Sequence, residues 1–381
     1  MIWRILSRGF IPVIMILAAL AYWKLHAAPK VISIGYVADR DVILWNTLAQ
    51  VREPVAEVHY GDRVEVIRME GTALQLRTAA GKIGWMRDSR QMMDSDLWGK
   101  SAALLDRARK LPVEARGRTK TVSNVRVEPG RGTERIFQFA RGTHVLILER
   151  AVADAASGPP ENSQDEKDGA AKDSAADDQK SKQEDWFLVL RDANPTSNAN
   201  SNSSPGNGHA EVKPATGDAV SGGPVASQSG ATVLGEPIGP VAGWVLARFI
   251  ELDLPDPVKD YASSADLRVV AWFELNRVPD GSGGEAPQYL VAASRGAEGQ
   301  VCDFTMVRIY TWGAKRKRYE TAYVESDLCG RLPIHISGGE KGPEFEFPDI
   351  DEGGAERKYV MSQTTVRRVK DAASPPALHK K

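Results

Sequence analysis

A chain of 381 residues is long enough for two or three domains at roughly 100–200 residues each, which excludes a single small module. Its 49 Lys+Arg and 50 Asp+Glu leave a net charge of -1, so no global basic field points to nucleic acid and any electrostatic recognition has to be local. Two cysteines exclude a disulfide-rich scaffold and a four-cysteine zinc site, while 34 Gly, 22 Pro and a mean hydropathy of -0.33 point to many turns and to stretches that never pack.

Residues 1–30 have the layout of an export signal or membrane anchor. Arg4 and Arg8 precede an uncharged run from Gly9 to Trp23, and Lys24 comes next. Fifteen residues of apolar helix span roughly 22 Å against a hydrocarbon core of about 30 Å, which suits a signal h-region. Ala19-Leu20-Ala21 offers a cleavage pattern, whereas Tyr22 and Trp23 fit an interfacial belt and Ile2 and Trp3 could lengthen a span, so cleaved signal and anchor both stay open. The flanking arginines fit export better than a buried core helix. Either way the basic end stays inside and residues 31–381 are expected in the cell envelope, outside the cytoplasm.

From Tyr36 to Met93 short β runs recur about every 8–12 residues, the spacing of a small barrel or sandwich: Val42–Leu44, Val55–Val58, Val64–Arg68, Leu74–Arg77 and Ile83–Met86. Turns at Tyr60-Gly61-Asp62 and Ala80-Gly81-Lys82 separate them. One linker helix is expected over residues 94–112. Asp94 or Ser95 caps it, Leu97, Leu104, Leu105 and Ala108 share a face, and Pro112 ends it.

Residues 120–252 repeat that order. Gly61-Asp62-Arg63-Val64-Glu65-Val66 corresponds to Gly142-Thr143-His144-Val145-Leu146-Ile147, Leu74–Arg77 to Phe187–Arg191, and Gly84-Trp85-Met86 to Gly243-Trp244-Val245. Self-similarity of this kind means one fold used twice. Two inserts interrupt the second copy. Residues 154–184 hold no Val, Ile, Leu, Met or aromatic residue, and residues 193–231 hold three Val among small and polar residues. Neither can offset an ordering entropy of roughly 1–2 kcal/mol per residue, so both are expected to be disordered.

Glu128-Pro129-Gly130, the Gly-x-x-Val-x-Val-like strands, Trp186 at the head of a strand and the doubled Gly84-Trp85 and Gly243-Trp244 resemble the bacterial SH3b (SH3-like) domain. The resemblance covers residues 36–93 and 120–252. It implies two small five-stranded barrels used for binding or targeting, with cell-wall material or envelope proteins as partners, no cofactor and no catalysis. The tandem with a β-rich C-terminal segment is also similar to uncharacterised bacterial envelope proteins. Candidate ligand-groove residues are Tyr36, Trp45 and Tyr60 in the first copy and Phe137, Phe139 and Trp186 in the second, the alternative place for each being the core. The Ala-Leu-Tyr-Asp-Tyr run that accepts proline-rich helices is missing from both copies.

Residues 255–370 read as an antiparallel β-meander, closed as a barrel or packed as a sandwich: Leu267–Leu275, Gln288–Ala293, Phe304–Trp312, Tyr319–Val324, Leu332–Ile336, Phe345–Phe347, Tyr359–Met361 and Val366–Val369. A hairpin about Gly313–Arg318, with facing residues summing to 631, sets Trp312 opposite Tyr319. It puts Phe304, Met306, Tyr310, Trp312, Tyr319 and Tyr323 on one face. It also sets Cys302 opposite Cys329, within reach of a disulfide in an oxidising compartment, the alternative being two buried thiols. Lys315-Arg316-Lys317-Arg318 and the basic tail 371–381 suit either a solvated surface or an anionic partner.

The overall expectation is therefore an all-β chain behind an N-terminal apolar helix, with two small barrels joined by a helix and a meander after them. Chemistry is not expected of it. Cys302 lies in Val301-Cys302-Asp303-Phe304 on an expected strand with no activating helix N-terminus, so a wall hydrolase acting through it is the least favoured reading. The six histidines lack metal-ligand spacing along the chain, no phosphate loop or nucleophile elbow is present, and Asp349, Asp351 and Glu352 make only part of a calcium loop. A scaffold with protein partners only is the other non-enzymatic reading.

Overall fold

The computed structural model describes residues 30–155, 183–191, 239–339 and 342–369. The expected N-terminal apolar helix, both insert interiors and the basic tail lie outside them. The chain divides into two compact units with the boundary after Trp98.

In the first unit, β1 (Ser33–Val37), β2 (Asp41–Trp45), β3 (Pro54–His59), β4 (Arg63–Glu70), β5 (Ala73–Arg77), β6 (Ile83–Met86) and β7 (Met92–Asp94) form one antiparallel sheet. Its strand order is β3-β2-β6-β5-β4-β1-β7. Alternation explains the core: Val42 and Leu44 on β2, Val64 and Val66 on β4, and Leu74 and Leu76 on β5 point inward with Val37, Val58 and Met86. The sheet starts at Ser33, three residues before the expected boundary.

The helix α1 (Ser95–Ala108) comes next, capped as expected by Asp94, whose Oδ1 accepts the Leu97 N–H at 2.8 Å. It ends before Pro112. Leu104 and Ala108 pack with Leu148, Trp186, Leu188 and Trp244 in the second unit.

That unit contains β8 (Ala115–Thr119), β9 (Ser123–Arg126), β10 (Arg135–Phe139), β11 (His144–Asp154), β12 (Gln183–Arg191), β13 (Val241–Leu246) and β14 (Ile250–Leu252), ordered β10-β9-β13-β12-β11-β8-β14. Substituting β8–β14 for β1–β7 reproduces the first order strand for strand. The likeness extends to irregularities. The β4/β5 ladder slips between Val66 and Arg68, and β11/β12 slips between the corresponding Ile147 and Glu149. The ladders of β2/β3 and β9/β10 both slip at the last rungs of β2 and β9. A bulge bends its strand and re-aims the side chains beyond it, so the recurrence ties both sheets to one curvature.

Backbone hydrogen bonds recur too. Gly61 N–H donates to Val37 O at 2.9 Å as Gly142 N–H donates to Thr119 O at 2.8 Å, and Ala38 N–H reaches Gln91 O as Lys120 N–H reaches Phe249 O, both at 2.8 Å. The paired glycines before the tryptophans have one cause. A Cβ on Gly84 would lie 2.7 Å from Leu44 Cβ, and one on Gly243 would lie 2.4 Å from Val125 Cγ1 and 2.8 Å from Arg126 O. Only a residue without a side chain lets β6 and β13 cross so close to β2 and β9.

Two boundaries differ from expectation. β8 precedes residue 120, and β12 takes in Gln183 and Glu184 from the expected insert and begins before the expected strand start at Trp186. Glu184 and Asp185 are buried because arginines neutralise them. Where the inserts leave the sheet, Asp154 faces Gln183 across β11/β12 and Arg191 faces Val241 across β12/β13.

The C-terminal sheet comprises β15 (Arg268–Pro279), β16 (Glu285–Ser294), β17 (Phe304–Gly313), β18 (Arg318–Gly330), β19 (His335–Gly339), β20 (Gly342–Asp349), β21 (Ala355–Ser362) and β22 (Thr365–Val369), all antiparallel, with β19 paired to β20 off the main path. An unexpected helix, α2 (Asp256–Ser264), lays Val258 and Ala262 against Val269, Tyr289, Val291, Met306 and Tyr310 on one face. On the other face Phe273, Leu290, Phe304, Val307, Phe345, Phe347 and Tyr359 form a second core, so residues from β15 to β21 converge there.

The expected hairpin register holds from Gly313 to Tyr310, where facing residues sum to 631. Bulges at Ile309/Tyr310 and Phe304/Met306 then displace it, and Phe304 faces Gly330 instead of Asp327. A bulge swaps the faces of the residues beyond it. Phe304 and Tyr323 therefore join the second core, while Met306, Tyr310 and Tyr319 pack with α2. Cys302 falls in the bend before β17, off the ladder, and is disulfide-bonded to Cys329 with 4.8 Å between their Cα atoms.

Candidate functional site

Two of the three aromatic candidates of the first unit come together. Tyr36 on β1 stacks on Trp98 with centroids 4.9 Å apart and planes 7° from parallel, and Tyr60 meets the same indole edge-on at 5.8 Å. All three rings are half-buried and form one aromatic shelf. Trp98 is the member sequence reasoning missed. It stands on α1 one residue after the buried Leu97, and the shelf forms because Asp94 starts the helix in register with β1. Trp45 stands elsewhere, half-buried with the Arg52 guanidinium 4.3 Å above its ring and Trp85 opposite it on β6. Trp85 itself is buried, which is its structural role in the signature.

The three candidates of the second copy do not form a groove. Phe137 and Phe139 touch edge-to-face at 5.6 Å and are 2% and 1% exposed, and Trp186 is wholly buried beside Trp244. Burial runs through consecutive positions, Ile136 and Phe137 on β10 and Glu184–Val189 on β12, so both faces of these strands are covered there, with α1 packed on the Trp186 side.

A buried polar network occupies this copy instead. Arg150 on β11 donates to Asp185 Oδ1 at 2.6 Å, Asp303 Oδ1 at 3.0 Å, Gln300 O at 2.9 Å and Cys302 O at 3.1 Å. Asp185 also accepts the Gly299 N–H at 2.8 Å, and Asp303 the Leu332 N–H at 2.9 Å. One guanidinium thus binds the repeat to the bend carrying the disulfide. Burial pushes Asp303 up despite the Leu332 N–H and Arg150, and it pushes Glu114 to about 8, with only the Ile334 N–H to oppose it and Asp303 nearby. For Glu184 burial works the same way. Hydrogen bonds from Arg131 at 2.7 Å and Arg248 at 2.6 Å outweigh it and hold the carboxyl below its usual range. All three carboxylates are buried and hydrogen-bonded across elements, to Arg150, to the Ile334 N–H and to Arg131.

Of the residues weighed for chemistry, Cys302 is bonded to Cys329 and carries no free thiol. Asp349 pairs with Arg357 at 2.6 Å and accepts the Asp351 N–H at 2.8 Å. At the basic hairpin tip Arg316 and Arg318 both approach Glu320, at 3.1 and 3.6 Å. One set of metal-ligating atoms does converge. Asp41, Glu57 and His59 present their ligand atoms within 4.8 Å of one another on the exposed face of β2 and β3. Spacing along the chain could not reveal it, because Asp41 is opposite His59 only through the ladder.

No helix among the described residues is long and apolar enough to cross a membrane. Comparison of the chain with protein-family models, curated proteins and solved structures finds no match.

Proposed function

We propose that this chain is a non-enzymatic envelope protein whose duplicated sheets are SH3b-type domains, carried outside the cytoplasm behind residues 9–23, and that its first copy binds cell-wall or envelope-protein ligands. Support for the domain type comes from the strand order, bulges and glycine contacts common to both sheets. The observation that carries binding is the half-exposed shelf of Tyr36, Tyr60 and Trp98, since stacked aromatics offer a large, rigid contact area to a sugar face or a peptide side chain. The two copies divide labour in this reading: the second has buried its aromatics and is tied to the C-terminal sheet, and the first keeps its rings accessible.

Retention on purified wall material tests it. The chain from residue 31 onward is expected to be retained, and Trp98→Ala, checked by its melting curve to be folded, to be washed off. Equal passage of both through the matrix overturns the wall ligand. A scaffold with protein partners only is the second reading, favoured by the way Arg150 locks the second copy to its neighbour. Crosslinking in cells separates the two, because a discrete protein adduct without wall attachment supports the scaffold.

A further inference from the structure

We propose that Asp41, Glu57 and His59 form a binding site for a divalent cation of borderline hardness, of which zinc is the probe. Antiparallel pairing sets Asp41 directly across from His59, and the period of two along β3 brings Glu57 to the same face. His59 Nδ1 and Asp41 Oδ1 are 2.9 Å apart. Two ligands on adjacent corners of a coordination shell with bonds of about 2.1 Å are separated by about 3 to 3.4 Å, so this pair already stands close to ligand spacing. The ion would replace the proton that Nδ1 now donates to Asp41. Glu57 completes the set from within 4.8 Å, and all three side chains are exposed.

The ligands are held from behind. Arg40 Nε lies 3.2 Å from Asp41 Oδ2, which occupies that oxygen and leaves Oδ1 facing His59. The His59 N–H donates to Asp62 Oδ2 at 2.8 Å, fixing the backbone that carries the imidazole. Outer contacts of this kind orient ligands in established metal sites. One imidazole with two carboxylates selects zinc-like ions over calcium or magnesium, which prefer oxygen alone. The two carboxylates balance a divalent charge, and three protein ligands leave the remaining positions to water.

The test is zinc uptake by the full chain in equilibrium dialysis, comparing wild type with His59→Gln, Glu57→Gln and His144→Gln. The expected result is one ion bound by wild type and by His144→Gln, with affinity falling at least about tenfold in each of the other two. Glu57→Gln keeps the Asp41–His59 pair and an exposed strand position, so its loss of zinc with an unchanged melting curve separates ligation from folding. Zinc uptake equal in all four proteins, or none by wild type with zinc in large excess, overturns the site.

Discussion

Arg150 and Asp303 lie 153 positions apart in the chain, yet their side chains meet at 3.0 Å with almost no exposure to water. The pair works only because Asp185 shares the same guanidinium at 2.6 Å and four backbone groups complete the set. A buried ion pair contributes little net stability compared with apolar packing, but breaking one from a single side strands the remaining charges.

Arg150→Ala should therefore destabilise the second unit by about 3–5 kcal/mol, leaving Asp303 buried without its ion pair and Asp185 with Arg268 at 3.5 Å. Arg107→Ala, which removes a half-exposed partner of Glu149 at the surface, should cost under about 1 kcal/mol. Urea unfolding of both variants measures the contrast, and equal midpoints would contradict the structural role given to Arg150.

Glu114 should make stability fall with rising pH. Its folded carboxyl is raised to about 8, so between the unfolded value of 4.5 and 8 the unfolded chain has released a proton that the folded chain retains. The contribution is complete below 4.5 and is lost as pH climbs through that window, with a limiting slope of about 1.4 kcal/mol per pH unit. Glu184, held low by its arginines, acts in the opposite sense and only at acid pH. Melting temperatures from about pH 5 to 8 should decline in wild type and stay flatter in Glu114→Gln.

Gly243→Ala should cost about 1–3 kcal/mol, and Gly84→Ala somewhat less. In the later copy the new methyl meets Val125 Cγ1 at 2.4 Å and the Arg126 carbonyl oxygen at 2.8 Å, whereas in the earlier one it meets Leu44 Cβ at 2.7 Å with backbone atoms no nearer than 3.3 Å. Thermal melts of the two variants rank them, and neutrality of Gly243→Ala would remove the steric reason for that glycine.

Cys302→Ser with Cys329→Ser should lower stability by about 3.5 kcal/mol, the loop-closure entropy of cysteines 27 positions apart. Reduction of the wild type should reproduce the loss. A melt insensitive to reductant would mean the crosslink constrains little beyond what the Phe304 packing and the Arg150 bonds already do.

Much of the architecture was written where local rules are strong. Gly84-Trp85 and Gly243-Trp244 announced the duplication because a steric demand forces glycine at a fixed step before the tryptophan. Asp94 announced the helix because an N-cap needs a short acceptor. The misses share another cause. Ala115-Arg116-Gly117-Arg118-Thr119 has no apolar alternation, and it is a strand because β11 and β14 pair with it on both sides. Glu184 looked like insert and Asp185 was left out of the strand because the arginines that permit their burial are distant in sequence. The slip beyond Tyr310 had no signature of its own, since a bulge is fixed by packing on both faces. Of the candidate ligand residues, Tyr36 and Tyr60 are half-buried, whereas Phe137, Phe139 and Trp186 took the place in the core that the sequence left open for all six.

The rungs Asp154–Gln183 and Arg191–Val241 give the second sheet a practical property. Each clamps the two ends of an excursion one strand spacing apart, about 4.8 Å, at opposite ends of β12. Doubling the length of either excursion adds only about 0.6 kcal/mol of closure cost. Both positions can therefore act as splice ports. A fluorescent protein or affinity tag grafted at either one would report on the molecule without disturbing its framework.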